Sequence, residues 1–194
     1  MRLREIPEIK RFLPAFFFYA MGVQTVMIVA AAFGEKVLHL GAPKLIATIL
    51  LIQLVAIAGA YLMSLLARFI GNVRVLMLVV CVWIGICVSA YYIHHEMQFY
   101  VLAALVGLVM GGIQSLSRST YSKLLPADET DTASFFSFYD VTEKVAIVIG
   151  LFSFALIEQV TNNIRYSALS LGLFFVLGLV LLFRMLMLKK ATAA

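Results

Sequence analysis

Six long apolar runs, parted by short polar breaks, decide what this chain is able to become. They extend from about Phe12 to Phe33, Leu45 to Leu66, Val75 to Ile93, Phe99 to Lys123, Phe135 to Glu158 and Ile164 to Leu188. A helix needs about 20 mostly apolar residues to cross a bilayer, so the runs predict six transmembrane helices. The breaks read GEKVLHLGAPK, ARFIGNVR, HHEMQ, LPADETDTAS and VTNN, each marked by Gly, Pro, Asn or charge. Connections this short set sequence neighbours antiparallel. Only 13% of the residues are charged, where a soluble domain carries about a quarter, and the mean hydropathy is +1.04. The expected class is an all-α, multi-pass membrane protein, with residues 1–194 forming one six-helix domain.

The N-terminal MRLREIPEIKRF followed by an apolar run resembles a signal peptide in outline. The run from Phe12 to Phe33 is too long for a typical apolar core of about 7–15 residues, so it is read as the first span. Orientation follows from Lys and Arg placement, because cytoplasmic loops are enriched in both. Arg2, Arg4, Lys10, Arg11, Arg68, Arg74, Arg118, Lys123, Arg184, Lys189 and Lys190 fall on one side of the membrane, and Lys36, Lys44 and Arg165 on the other. Eleven against three predicts both termini in the cytoplasm, and that requires an even number of spans.

Several function classes drop out. The net charge of +5 does not point to nucleic acid, because the basic residues sit between apolar runs rather than along one polar face. Cys81 and Cys87 lie six apart inside one apolar run and make neither a disulfide framework nor a metal-ligand spacing. His39, His94 and His95 fall in loops with no ligand partners at useful spacing. There is no HExxH, GxSxG or phosphate-binding glycine loop, so neither an enzyme, a metal site nor a cofactor is expected.

What remains is a set of polar residues inside the apolar runs, where charge is costly and usually has a task. Folding segments four and five about a turn near Glu129 and Thr130 brings Arg118 level with Val141. Asp140 and Glu143 are then its nearest acids, and Lys144 follows Asp140 by four, on the same helix face. The expected arrangement is a buried, self-neutralising cluster of Arg118, Asp140, Glu143 and Lys144, acting as a helix clamp or as a gate. Gln114, Ser117, Arg118 and Tyr121 recur at helical spacing and give segment four one polar face, toward a neighbouring helix or water. Gly107 and Gly111 form a small-xxx-small pattern that lets helices pack closely. Segment one offers Tyr19, Gln24 and Thr25, with Gln24 about midway along the span, read as an interhelical hydrogen bond or as a cavity-lining contact to a polar solute. Gln53, Gly59 and Ser64 of segment two read as packing.

GLVMGGIQSLSRSTYSKLLP followed by FFSFYDVTEK and Gly150 resembles the tenth and eleventh helices of major facilitator transporters. Within that superfamily the chain looks most like the vacuolar amino-acid effluxer-like group, also called the unknown major facilitator family. YAMGVQT is similar to that group's seventh-helix motif, with Met21 where Asp is common. LLARFIGNVR resembles the facilitator loop signature between helices eight and nine, which implies a cytoplasmic loop bearing Arg68, Gly71 and Arg74. Leu151 replaces a usual Gly-Pro.

The resemblance implies half of a major-facilitator-type bundle: the C-terminal six helices of about twelve, with the solute held between two halves. It implies transport of a small solute, an amino acid or related metabolite, by alternating access in a bacterial inner membrane. Segments one, two, four and five are then expected to line the cavity through Tyr19, Gln24 and Gln114, while three and six face lipid. The implied partners are the lipid bilayer, the solute and a second six-helix half, as a separate chain or a homodimer mate. Two other readings stay open: a non-transporting fragment or scaffold that binds other membrane proteins, and a channel.

Overall fold

The computed structural model describes residues 7–126 and 132–191, with side chains as far as Leu188. The leader residues Arg2 and Arg4, the turn about Glu129 and Thr130, and the side chains of Lys189 and Lys190 lie outside the described residues. Six helices follow one another: α1 (Pro7–Leu38), α2 (Ala42–Ile70), α3 (Asn72–Tyr91), α4 (Glu96–Leu124), α5 (Thr132–Thr161) and α6 (Ile164–Ala191). Among the described residues there is no strand. Each apolar run falls within one helix, save that Tyr92 and Ile93 lie past the end of α3. Among the described residues, five helices are long and apolar enough to cross a membrane. The other, α5, carries Asp140, Glu143, Lys144 and Glu158.

The breaks have local causes. α1 ends where His39 takes a left-handed φ of 52°, so that Leu40 N–H donates back to the Gly34 carbonyl at 3.3 Å; this satisfies a carbonyl that the helix end would leave free. Gly71 has φ 89°, a conformation that L side chains resist, and this one residue separates α2 from α3. The Gln98 carboxamide oxygen accepts from the His94 and His95 N–H groups at 2.9 and 3.2 Å and closes the start of α4 as a capping box. Asn162, with φ 49°, stops α5, and Asn163 Oδ1 then accepts from Arg165 N–H at 3.0 Å to open α6.

Packing is organised by close helix approaches. α2 lies along α4, and α1 lies along α5 and α6, with α3 against α6 and α4. Along the α2–α4 seam, a Cβ on Gly107 would stand 2.6 Å from the Ile52 carbonyl oxygen, and Cβ atoms on Gly59 and Gly111 would overlap the backbones of Leu108 and Ala56. Lipid is as apolar as a leucine side chain, so such backbone proximity, with its dispersion contacts, is what holds membrane helices together. Gly150 plays the same part for α5 against Met21 and Thr25 of α1. Behind these seams, Trp83 of α3 stacks on Phe175 of α6 with ring centroids 5.3 Å apart.

α3 and α2 differ in how far their faces are covered. α3 buries Val75, Leu76, Val79, Val80 and Trp83. α2 is the most exposed of the candidate spans, only 22% buried over its apolar window, because it packs chiefly on α4. Leu54, Ile57, Tyr61 and Phe69 stand on its uncovered face.

The two ends of the bundle differ. At one end Lys36 of α1 pairs with Glu158 of α5 at 2.5 Å, and Lys44 of α2 with Glu96 of α4 at 2.6 Å. There Arg165 of α6 also donates to the Tyr91 carbonyl of α3 at 2.6 Å. The opposite end holds the site described next.

Candidate functional site: a polar cavity between α1, α4 and α5

A cavity of about 320 Å³ lies where α1, α4 and α5 meet. Phe16, Tyr19 and Gln24 supply one wall, Gln114, Ser117 and Arg118 the second, and Tyr139 and Glu143 the third. Gln114 is exposed and Gln24 half-buried, so the cavity is open rather than sealed in the core.

Its closed side is aromatic. Phe16 and Tyr139 stack at 4.2 Å, and Tyr19 meets Phe16 edge-on at 5.6 Å. The Tyr19 hydroxyl lies 2.8 Å from Ser117 Oγ. Ser117 gives its one proton to the Ile113 carbonyl at 2.5 Å, so Tyr19 is the donor in the pair. This ties α1 to α4 with every hydroxyl proton placed. Tyr121 likewise donates to the Phe135 carbonyl at 2.9 Å. The four polar residues read as one face of segment four thus divide. Tyr121 is buried in helix contacts away from the cavity, Ser117 is buried at the cavity wall, and Gln114 and Arg118 line it from the exposed side.

The expected four-membered charged cluster is split. Arg118 Nη2 donates to Asp140 Oδ1 at 2.8 Å, and the Arg118 guanidinium lies 5.8 Å from the centre of the Tyr139 ring. The pair is not buried: the two side chains are 59% and 49% exposed. Glu143 is engaged elsewhere, accepting from the Gln24 side-chain amide of α1. Lys144 is exposed and has no ion pair among the described residues. The physical reason is angular. Lys144 does lie one turn from Asp140, but that stripe of α5 borders the open side of the bundle. Glu143, three residues from Asp140, is rotated toward α1.

Tyr19, Gln24 and Gln114 therefore stand around one cavity, together with Arg118 and Glu143. α2 contributes nothing to it; Gln53 is exposed on the outer face. Gly107 and Gly111 sit in the α2–α4 seam. Arg68, Gly71 and Arg74 are exposed about the α2–α3 junction. Phe16 and Tyr139 were not anticipated. Their signal was present in the aromatic clusters FFFYA and FFSFYD, where Phe16 precedes Tyr19 by three residues, but apolar segments are rich in such clusters. Among the described residues no group of His, Cys, Asp and Glu is placed to hold a metal.

Long apolar helices around an open polar cavity define a multi-pass helical membrane protein. The sequence profile described as vacuole effluxer Atg22 like matches residues 1–194, and the chain belongs to that family. It is 34% identical over 182 residues to the MFS-type transporter YxiO of Bacillus subtilis, a match covering 93% of this chain and 42% of that protein. Autophagy-related protein 22 of Cryptococcus neoformans is 32% identical over 186 residues, covering 88% of this chain and 32% of the relative. The Saccharomyces cerevisiae protein of the same name is 27% identical over 175 residues, covering 84% and 33%. The chain thus spans less than half the length of these curated relatives.

Proposed function

We propose that this chain forms one half of a transporter that carries a small polar solute across a membrane by alternating access. The observation that carries the reading is the open polar cavity between α1, α4 and α5 of an otherwise apolar bundle. Lipid has no use for Gln114, Arg118 and Glu143 on an open surface, whereas a solute passing between two halves does. A second six-helix half, in the same polypeptide, in another chain or as a second copy, would close the open side.

The wall groups suit an amino acid or related metabolite. They combine a guanidinium at Arg118, a carboxylate at Glu143, two carboxamides and an aromatic floor, which together accept both ends of a zwitterion. No catalytic role is assigned to any of them. Similarity to a bacterial MFS-type transporter supports a bacterial inner membrane as the location. The exposed apolar face of α2 favours a second reading, a scaffold that binds other membrane proteins without transport.

Reconstituted flux separates the two. Proteoliposomes holding this chain with a six-helix partner half are expected to show saturable uptake from a panel of labelled amino acids. Arg118→Ala is expected to reduce that uptake while leaving assembly intact, since Arg118 and Asp140 are both half-exposed and no buried charge is stranded. Uptake absent across the panel, or unaltered in Arg118→Ala, would count against the transport reading. Conductance in place of saturable uptake would indicate a channel.

A further inference from the structure

A second polar cleft, of about 150 Å³, lies outside the cavity, where α2, the start of α3 and the end of α4 converge. Its chemistry is one-sided. Arg68 and Lys123 supply two cations, Ser64 and Ser119 two hydroxyls, and Asn72 a carboxamide; the Ser115 hydroxyl is given to the Gly112 carbonyl at 3.1 Å, and among the described residues no acid lines the cleft. From these residues we infer that the cleft is a binding site for a phosphate oxyanion, carried by a lipid headgroup or by a soluble phosphate.

Three observations support this beyond composition. First, the cations are held but not neutralised. Lys123 Nζ donates to Asn72 Oδ1 at 3.1 Å, and Asn72 Nδ2 donates to Ser119 Oγ at 3.2 Å. That chain orients the ammonium and leaves it two further N–H donors. Among the described residues neither Arg68 nor Lys123 has an ion pair, whereas Lys36 and Lys44 at the other end each have one. Second, Arg68 presents a planar fork of donors, which matches two oxygens of a phosphate. Third, α3 starts beside the cleft at Gly71, which has no side chain to cap its first N–H groups. The positive end of a 20-residue helix therefore adds to the field of the two cations.

The position suits the ligand as well. Orientation by positive charge puts this end at the cytoplasmic surface, where both anionic lipid headgroups and soluble phosphates are found. The site is separate from the solute cavity, although Ser115 borders both, and it stands whether or not the chain transports anything. The acids Asp128, Glu129 and Asp131 of the α4–α5 turn lie outside the described residues, so the test includes them.

The full chain would be titrated with inorganic phosphate in neutral detergent. In parallel, its retained lipids would be measured by native mass spectrometry after nanodisc assembly in phosphatidylcholine with or without phosphatidylglycerol. Binding in both arms indicates a general phosphate site, and retention of phosphatidylglycerol alone indicates a lipid site; either supports the inference. Arg68→Gln and Lys123→Gln are each expected to weaken binding about tenfold, the loss of one charge-assisted hydrogen-bonding group. Arg68→Lys with Lys123→Arg should restore most of it, and Lys44→Gln at the far end should change nothing. Thermal unfolding of each variant guards against misfolding. The inference is overturned if wild type binds in neither arm, or if the double Gln variant binds as wild type does. It is also overturned if binding appears only in Asp128→Asn/Glu129→Gln/Asp131→Asn, because the turn would then neutralise the cleft.

Discussion

Tyr19 and Ser117 meet between α1 and α4 with one hydroxyl proton each to place, and the geometry places both. Removing the phenolic oxygen by Tyr19→Phe leaves Ser117 bonded to the Ile113 carbonyl, so no donor is orphaned and only the interhelical link is lost. Such links inside membranes average about 0.6 kcal/mol and reach about 1.7 kcal/mol. Tyr19→Phe is expected to destabilise the bundle by an amount in that range, read from unfolding in mixed detergent micelles. A loss well above it would mean that the ring shifts its stack on Phe16. Gln24 and Glu143 pose the opposite case. Each was readable as a polar group in an apolar run, but their pairing was not. Arg118 and Asp140 belong to consecutive helices, so one short turn sets their relative depth. Gln24 and Glu143 stand 119 positions apart, on helices whose register no single turn fixes.

At the scale of the helix, spacing and partner are different kinds of information. Gly107 and Gly111 advertise a close approach by lying four apart on one face, and they do meet another helix. That the partner is α2, with Gly59 facing Leu108, depends on how α2 is rotated about its own axis. α2 is apolar nearly all round, so the sequence carries no stripe to set that rotation. The energetic consequence is sharp. A Cβ at position 111 would overlap the backbone of Ala56, which cannot swing aside as a side chain would. Gly111→Ala is therefore expected to push α2 outward at a cost of about 1–3 kcal/mol, typical of overpacking. Gly85 of α3 meets nothing within 4 Å, so Gly85→Ala is expected to be neutral or to stabilise by up to about 1 kcal/mol through backbone entropy. The same unfolding measurement tests both, and equal effects would show that the seam is looser than its geometry implies. Element limits were legible for the same reason that rotation was not: apolar length is written along the chain, while azimuth around a uniformly apolar helix is written nowhere.

For the whole molecule, the two ends differ in how their cations are held. Lys36 and Lys44, two of the three cations on the sparsely charged side, are cancelled by Glu158 and Glu96, and Arg165 is held by the Tyr91 carbonyl. On the other side Arg68, Arg74 and Arg184 have no ion pair among the described residues. Positively charged segments stay in the cytoplasm, so this end should face inward, with both termini. The helix that decides the count is α5, which is not among the five candidate spans and carries Asp140, Glu143, Lys144 and Glu158. Asp140, Glu143 and Lys144 lie within four turns of its start, where they border the cavity or its mouth, and Glu158 is tied to Lys36 near its end. The stretch between, from Val145 to Ile157, is apolar throughout apart from Ser153, whose hydroxyl is returned to the Ile149 carbonyl at 2.8 Å. α5 can therefore cross with its charges kept to the two water-facing ends and the cavity. Reporter fusions in a bacterial host test this directly. Alkaline phosphatase, active only outside the cytoplasm, is expected to be active when fused after Leu40, His94 and Asn163. Green fluorescent protein, fluorescent only inside, should report after Gly71, Pro126 and the final residue. Phosphatase activity at both Asn163 and the C-terminus, or inactivity at Asn163 with fluorescence after Pro126, would show that one of the last two helices fails to cross and would remove the even count on which the orientation depends.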